Sequence, residues 1–368
     1  MADHFITPLH SFVEKYNDKI DNACEEAHPR KFTERYLLET SGRISHIDPS
    51  EDLTKALGEP NWDLLDRKRS RIRPIIFLLA IGGMGYNPEE FVKYSPLIEL
   101  VHNGTLIHDD IEDGALSRRS DEAIHLRYGL DIAVNSANLM YFSPAVLLKR
   151  YRKEFSPKTL LNTYEVLMEH LNRVTWGQAL DIYWHNSDKD VTKDEYLQMC
   201  CYKTGAIDRL TLSLAGSLTE IEDDLFERIQ NYGELLGIAF QIHDDFLDVC
   251  TARRELFGGK PIGNDVTEGK KSLVNILTIQ NLKDEERERF KDILLEHTYD
   301  PRKIQEALGL VEKSKSLEMV RSMGEDYFSR LIKLSKDIFS GECAELLSNF
   351  MGSMKDDLEE KYVSRKKI

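Results

Sequence analysis

Residues 226–249 read FERIQNYGELLGIAFQIHDDFLDV. Ile229, Leu235, Leu236, Ile238 and Phe240 spread around a helix of 3.6 residues per turn instead of forming one stripe, and nothing in the stretch alternates as a strand would. A helix that is apolar on all sides belongs inside a bundle of other helices. Tyr94 to His108 is a second stretch of the same kind, with Leu97, Ile98, Val101 and Leu106. Outward from these two, apolar residues recur at three- and four-residue spacing almost throughout, and alternation flanked by turn dipeptides is nearly absent. The chain is therefore expected to be all-α. Breaks between helices are expected at Gly58-Glu59-Pro60, residues 82–88 (GGMGYNP), Ser143-Pro144, Ser156-Pro157, residues 258–263 (GGKPIG) and Asp300-Pro301. No Ser/Gly/Pro-rich linker or low-complexity tract interrupts the pattern. One domain over residues 31–368 is expected, preceded by an N-terminal appendage of residues 1–30.

Over 368 residues the composition is 41% hydrophobic and 31% charged, ample for a large core and incompatible with wholesale disorder. The 64 acidic against 49 basic side chains leave a net charge of −15. That works against general attraction to DNA, RNA or an anionic membrane surface, so an anionic ligand has to be held by a local basic cluster or by bound metal. The five cysteines, Cys24, Cys200, Cys201, Cys250 and Cys343, form no CxxC and no metal-ligand spacing. A reduced, cytoplasmic protein is expected. Residues 1–20 lack the basic and apolar regions of a signal peptide, and the longest apolar run, Ile75 to Gly85, falls short of the roughly 18 residues that span a bilayer. The basic terminus SRKKI matches no lipidation signal and reads as a solvated tail.

Both central stretches end in nearly the same words, Leu106-Ile107-His108-Asp109-Asp110-Ile111-Glu112-Asp113 and Gln241-Ile242-His243-Asp244-Asp245-Phe246-Leu247-Asp248. Each holds DDxxD, which on a helix puts Asp109 with Asp113, and Asp244 with Asp248, on one face one turn apart. Like charges at that spacing repel, so something cationic is expected among them. Hard oxygen donors without His or Cys at ligand spacing suit Mg²⁺, which keeps several waters and bridges carboxylates to substrate phosphates. Two other acidic runs, Asp223-Asp224-Leu225-Phe226-Glu227 and Asp356-Asp357-Leu358-Glu359-Glu360, follow no apolar helix and are read as solvated faces. After the first cluster comes Gly114-Ala115-Leu116-Ser117-Arg118-Arg119. Its paired guanidiniums match phosphate oxygens and supply the local anion site that the net charge requires.

From about Asp66 to Leu273 the chain resembles the trans-isoprenyl diphosphate synthases, most of all those of the geranylgeranyl diphosphate type. The resemblance implies a large helical bundle of the isoprenoid synthase type with a central cavity, working as a homodimer. It implies three Mg²⁺ ions held by Asp109, Asp110, Asp113, Asp244, Asp245 and Asp248, with isopentenyl diphosphate and an allylic diphosphate as substrates. Arg118 resembles the arginine that grips the allylic diphosphate, and Arg119 the one that grips isopentenyl diphosphate. His102, seven residues before Asp109, and Arg73 in Arg71-Ile72-Arg73-Pro74 match further isopentenyl-diphosphate contacts. Gln178 and Asp181 match the family's GQxxD, Lys203-Thr204-Gly205 its KTG and Gln241 its FQxxDD. Lys260 and Lys270 look like the loop that closes over the diphosphate. Two departures concern the isopentenyl side: Arg69-Ser70 stands where the family has Gly-Lys, with Lys68 or Arg69 as substitutes, and Ser120 and Glu122 stand where it has Gly and Pro.

The implied chemistry is ionisation, condensation and elimination. Metal ions, Arg118, Lys203 and Lys260 neutralise the leaving diphosphate. The carbonyl of Lys203 or Thr204 and the Gln241 side chain shield the allylic cation, which is attacked by the double bond of isopentenyl diphosphate. The released diphosphate takes the proton, in keeping with the lack of a Ser/His/Asp or Cys/His arrangement. The growing tail is expected along the face one and two turns before Asp109, past Thr105, Gly104 and Val101, none of them aromatic. Residues 135–142 (NSANLMYF) resemble a segment whose bulky residues floor the pocket, so Tyr141 and Phe142 are candidates for setting chain length at C20. Two alternatives stand beside this reading: a terpene synthase that ionises a prenyl diphosphate without condensing it, and a silent subunit that regulates a true synthase.

Overall fold

The structure is a computed structural model that describes residues 4–43, 46–67, 71–250 and 262–365. The described residues are almost wholly helical, as the spacing predicts: α1 (His10–Ala27), α2 (Glu34–Ser41), α3 (Ser50–Leu53), α4 (Glu59–Asp66), α5 (Ile72–Gly83), α6 (Pro96–Glu112), α7 (Ile124–Tyr128), α8 (Leu130–Phe142), α9 (Val146–Arg150) and α10 (Pro157–His185). There follow α11 (Lys193–Tyr202), α12 (Thr204–Leu218), α13 (Asp223–Cys250), α14 (Asn264–Thr267), α15 (Leu273–Asn281), α16 (Asp284–Leu295), α17 (Pro301–Ser314), α18 (Ser316–Ile338) and α19 (Gly341–Arg365). One short hairpin, β1 (Ser117–Arg118) and β2 (Asp121–Glu122), pairs antiparallel. None of the described helices is long and apolar enough to cross a membrane.

The chain divides into two compact units. One comprises Leu9–Glu169 with Leu210–Phe226, the other Met1–Pro8, His170–Arg209 and Glu227–Ile368. The first is built on α5, whose residues Ile75–Ile81 are completely or almost completely buried. Helix α1, part of the expected appendage, buries Tyr16, Ile20 and Cys24 and packs on α5 and α6. In the second unit, α18 packs along α19 and against α15.

Most Pro and Gly signals fall where helices begin or end. Pro157 opens α10, and Asp300 caps α17 by accepting from the Arg302 amide at 2.9 Å with Pro301 behind it. Gly58-Glu59-Pro60 is the exception. The chain runs from α3 through a π turn (Thr54–Gly58) directly into α4, with Pro60 as its second residue, so the proline sits just past the widened turn. Residues 258–261 lie outside the described residues.

The acidic runs read as solvated divide. Asp223 and Asp224 are exposed in the first turn of α13, where negative charge suits the helix dipole. Asp357 is buried instead, its Oδ2 3.0 Å from His243 Nε2, because α19 lays it against α13.

At the end of α1, His28 is fully buried. Asn61 Nδ2 donates to its Nε2 at 3.3 Å, leaving Nδ1–H to donate to the Tyr36 hydroxyl at 3.2 Å. Burial pushes this imidazole down to about 4. The unfolded chain then takes up a proton that the folded chain refuses, so stability is full above pH about 6.5 and falls by about 3 kcal/mol as pH drops toward 4. His28→Gln is expected to flatten the decline in Tm between pH 7 and 4.5. A variant that melts with the same pH slope as the parent would contradict this.

Candidate functional site

Helix α6 delivers the first aspartate cluster. Asp110 is buried, Asp109 and Asp113 half-buried. The Arg118 guanidinium reaches both neighbours: Nε donates to Asp110 Oδ1 at 2.8 Å, and Nη2 donates to Asp109 Oδ2 at 3.2 Å and to Asp110 Oδ1. Burial opposes the arginine's charge, but Asp110, Asp109 and Asp113 outweigh it and hold the guanidinium above its ordinary value. The expected cation is thus partly supplied from within. Among the described residues, no group of three or more His, Cys, Asp or Glu is already drawn together as a metal cage. The donor set still fits a divalent ion, since hard carboxylate oxygens converge on one cation and offer no thiolate or imidazole to favour a softer metal.

The hairpin that carries Arg118 turns through Arg119 and Ser120, both left-handed at φ 55° and 63°. A two-residue loop of that kind ordinarily holds Asn-Gly, and L side chains there cost roughly 1 kcal/mol each. Arg67 compensates. It is buried, pairs with Asp63 Oδ1 at 3.0 Å, and donates to the Arg118 carbonyl and the Glu122 carbonyl, each at 2.8 Å. Arg67 therefore clamps both strands from α4.

Two turns before Asp109 on the same face of α6, Arg73 Nη1 lies 3.2 Å from His102 Nε2. A guanidinium can only donate, so Nε2 accepts and the ring proton sits on Nδ1. Burial, with Arg73 and Arg118 nearby, pushes His102 well below its usual range, which keeps it neutral. Arg119 Nη1 donates to the Leu64 carbonyl at 3.0 Å and to Asn103 Oδ1 at 3.1 Å. Arg73, His102, Arg118 and Arg119 are thus gathered on α5, α6 and the hairpin of one unit. Lys68, Arg69, Ser70 and Lys260 lie outside the described residues.

Among the chain-length candidates, Val101 is fully buried and Thr105 half-buried, its hydroxyl donating to the His102 carbonyl at 2.7 Å. Gly104 faces α8: a Cβ there would sit 3.0 Å from the Ala137 carbonyl and from Tyr141 Cδ1, and 3.1 Å from Met140 Cβ. The missing side chain is what lets α6 and α8 approach. Tyr141 therefore covers position 104, and its ring packs against His108, tilted by 40° with centroids 5.1 Å apart. Phe142, 66% exposed, is not brought to this face.

In the second unit, α13 delivers Asp244 exposed and Asp245 and Asp248 buried. Asp245 is the most constrained. Its Oδ2 accepts from the Tyr196 hydroxyl at 2.7 Å and the Leu273 amide at 2.6 Å, and its Oδ1 from Gln241 Nε2 at 2.9 Å. Burial first, then the negative Asp265, pushes this carboxyl above the usual range. Gln241 Oε1 accepts in turn from the Thr204 hydroxyl at 2.5 Å. Lys203 Nζ pairs with Asp181 at 2.5 Å, which joins the KTG lysine to the GQxxD aspartate, with Gln178 half-buried one turn before it. Lys270 pairs with Glu268 at 2.7 Å, and Asp248 Oδ2 accepts from the Asp265 amide at 3.2 Å.

Glycines make this corner possible. A Cβ on Gly177 would lie 2.2 Å from the Lys203 amide nitrogen, and one on Gly237 would lie 2.4 Å from Gly205 Cα. The backbone of Lys203-Thr204-Gly205 is thus gripped between α10 and α13 with no room for a side chain. Lys203 takes ψ −89°, outside the helical range, which turns the chain from α11 into α12 at this point.

Sequence reasoning missed Arg67, Asn103, Tyr196 and Asp265. Arg67 was signalled by its i, i+4 spacing from Asp63, and Asn103 by being polar at a core position of α6. Tyr196 and Asp265 reach the site only through tertiary packing.

A family model described as polyprenyl synthetase matches residues 54–311. A geranylgeranyl diphosphate synthase of Saccharolobus solfataricus is 28% identical over 284 residues, covering 77% of this chain and 84% of that protein. A short chain isoprenyl diphosphate synthase of Methanothermobacter thermautotrophicus is 30% identical over 300 residues, covering 81% and 88%. Among solved structures, a polyprenyl synthase from Caulobacter crescentus complexed with calcium and isoprenyl diphosphate matches with a TM-score of 0.78 over 95% of this chain and 97% of that one; at 21% identity this is a likeness of fold. With the family model matching more than half its length, the chain belongs to the polyprenyl synthetase family.

Proposed function

We propose that the chain is a Mg²⁺-dependent prenyltransferase that condenses isopentenyl diphosphate with an allylic diphosphate and releases trans-geranylgeranyl diphosphate, C20. The observation that carries this reading is the gathering of Arg118, Arg119, Arg73 and neutral His102 around the helix that ends in Asp109, Asp110 and Asp113. Relatives that make geranylgeranyl diphosphate or short isoprenyl diphosphates support it.

Asp109, Asp110 and Asp113 in one unit, and Asp244, Asp245 and Asp248 in the other, would hold Mg²⁺, three ions in all, which would supply charge neutralisation for the departing diphosphate. Arg118 and Lys203 would each lend donors to diphosphate oxygens, each exchanging a carboxylate partner for phosphate. Thr204 fixes the Gln241 amide so that its oxygen dipole faces developing positive charge. Arg73, His102 and Arg119 hold isopentenyl diphosphate, and the released diphosphate takes the proton, so no side chain acts as base. Residues 31–368 form the synthase domain, and the working unit is a cytoplasmic homodimer.

Product length tests the reading of C20. Tyr141→Ala removes the ring over Gly104 and is expected to shift the main product to C25 or longer, whereas Thr105→Phe is expected to shorten it to C15. Mass analysis of products from farnesyl and geranyl diphosphate reads both. An unchanged product in both variants would mean that the tail runs elsewhere. Gly104 is the wrong place for a bulky residue, because a side chain there meets α8 and disturbs packing before it meets a substrate.

A further inference from the structure

We propose that Asn103 is a positioning residue for Arg119, and that a polar chain through Glu99 and Arg71 to Asp21 ties this arginine to helix α1. The inference rests on the reading of Arg119 as the grip on isopentenyl diphosphate.

Asn103 is fully buried on a helix whose neighbours Leu100, Val101 and Ile107 are equally buried. A polar group there is costly unless satisfied. Its Nδ2 donates to the Glu99 carbonyl at 2.6 Å and to Glu99 Oε1 at 2.7 Å, and its Oδ1 accepts from Arg119 Nη1 at 3.1 Å. The reverse amide orientation would set oxygen against oxygen at Glu99 and donor against donor at Arg119, so chemistry fixes which way it points.

Glu99 is held as firmly. Its Oε1 also accepts from Arg71 Nη1 at 2.8 Å. Arg71, 4% exposed, gives its Nε to Asp21 Oδ1 at 2.6 Å and its Nη2 to the Leu65 carbonyl at 3.1 Å. Leu64 and Leu65 lie in the last turn of α4, where carbonyls lack helical partners. One accepts from Arg119 and the other from Arg71, so the end of α4 and the chain beginning at Asp21 bracket both guanidiniums.

The consequence is pre-orientation. A guanidinium at the end of a flexible stem loses rotamer freedom when it grips a phosphate, and that loss is smaller when two fixed acceptors already aim it. The effect falls on binding of isopentenyl diphosphate and not on the allylic half-site, because Arg118 is held by a different set of groups, Asp109 and Asp110.

The test is a KM split in the purified full chain with Mg²⁺. Asn103→Leu keeps the shape and loses both polar ends; it is expected to raise KM for isopentenyl diphosphate about tenfold, with kcat and the allylic KM within about twofold. Asp21→Ala, at a half-exposed position on α1, is expected to raise the same KM about threefold. Unchanged KM for isopentenyl diphosphate in both variants, or equal rises in the two KM values, overturns the proposal. Failure of the unaltered protein to elongate overturns the functional reading and the proposal together, so the two failures are told apart.

Discussion

Asp109→Asn and Asp244→Asn are each expected to lower turnover on the order of a hundredfold or more, with the melting temperature little changed. The substitution keeps the shape of the side chain and removes one negative oxygen from a donor set for a hard divalent cation, whose binding depends on that charge. Asp109 also faces Arg118 at 3.2 Å, so its neutralisation weakens the hold on a guanidinium that must be presented to phosphate. Asp244 is exposed, and its replacement carries little folding penalty. Asp223→Asn, at the exposed start of the same helix α13, is the control and is expected to leave activity unchanged. Initial rates at saturating substrate and Mg²⁺ read all three. Rates for Asp109→Asn and Asp244→Asn within twofold of the parent would remove these carboxylates from the chemistry.

Gly237→Ala is expected to cost about 3 kcal/mol or more and to lower the melting temperature by roughly 5 °C or more. The new Cβ would lie 2.4 Å from Gly205 Cα, and backbone cannot rotate away as a side chain can. Helices α12 and α13 must separate, and the Thr204–Gln241–Asp245 chain that crosses this contact opens with them. Activity is therefore expected to fall more than tenfold even where the variant remains folded. Calorimetry and rate measurements on one preparation check both parts, and a variant with parental melting and parental rate would show that the contact gives way without cost.

Much of this was legible in the sequence because it rests on local periodicity. The apolar surroundings of α6 and α13 and the one-turn spacing of their aspartates follow from residues within a few positions of one another. The pairing of Lys203 with Asp181 was foreshadowed by two motifs in register. What could not be read depends on distant partners. Asp357 looks like a solvated acid until α19 places it against His243, 114 positions away. Residues 10–27 carry no motif, and the packing of α1 on α5 and α6, with Tyr16, Ile20 and Cys24 buried, depends on partners far along the chain. Pro60 looks like a helix breaker until it proves to occupy a first turn. Gly104 looks like open space for a substrate until α8 is seen to fill it. Each reversal comes from a tertiary contact that local spacing does not encode.

The central claim is that this chain joins two diphosphates instead of rearranging one. Purified protein is incubated with Mg²⁺, farnesyl diphosphate and isopentenyl diphosphate, and the products are identified by mass. The account predicts a linear diphosphate one five-carbon unit longer than the allylic substrate, formed only when isopentenyl diphosphate is present. Cyclic hydrocarbons or alcohols from farnesyl diphosphate alone, with no elongated product, would contradict it.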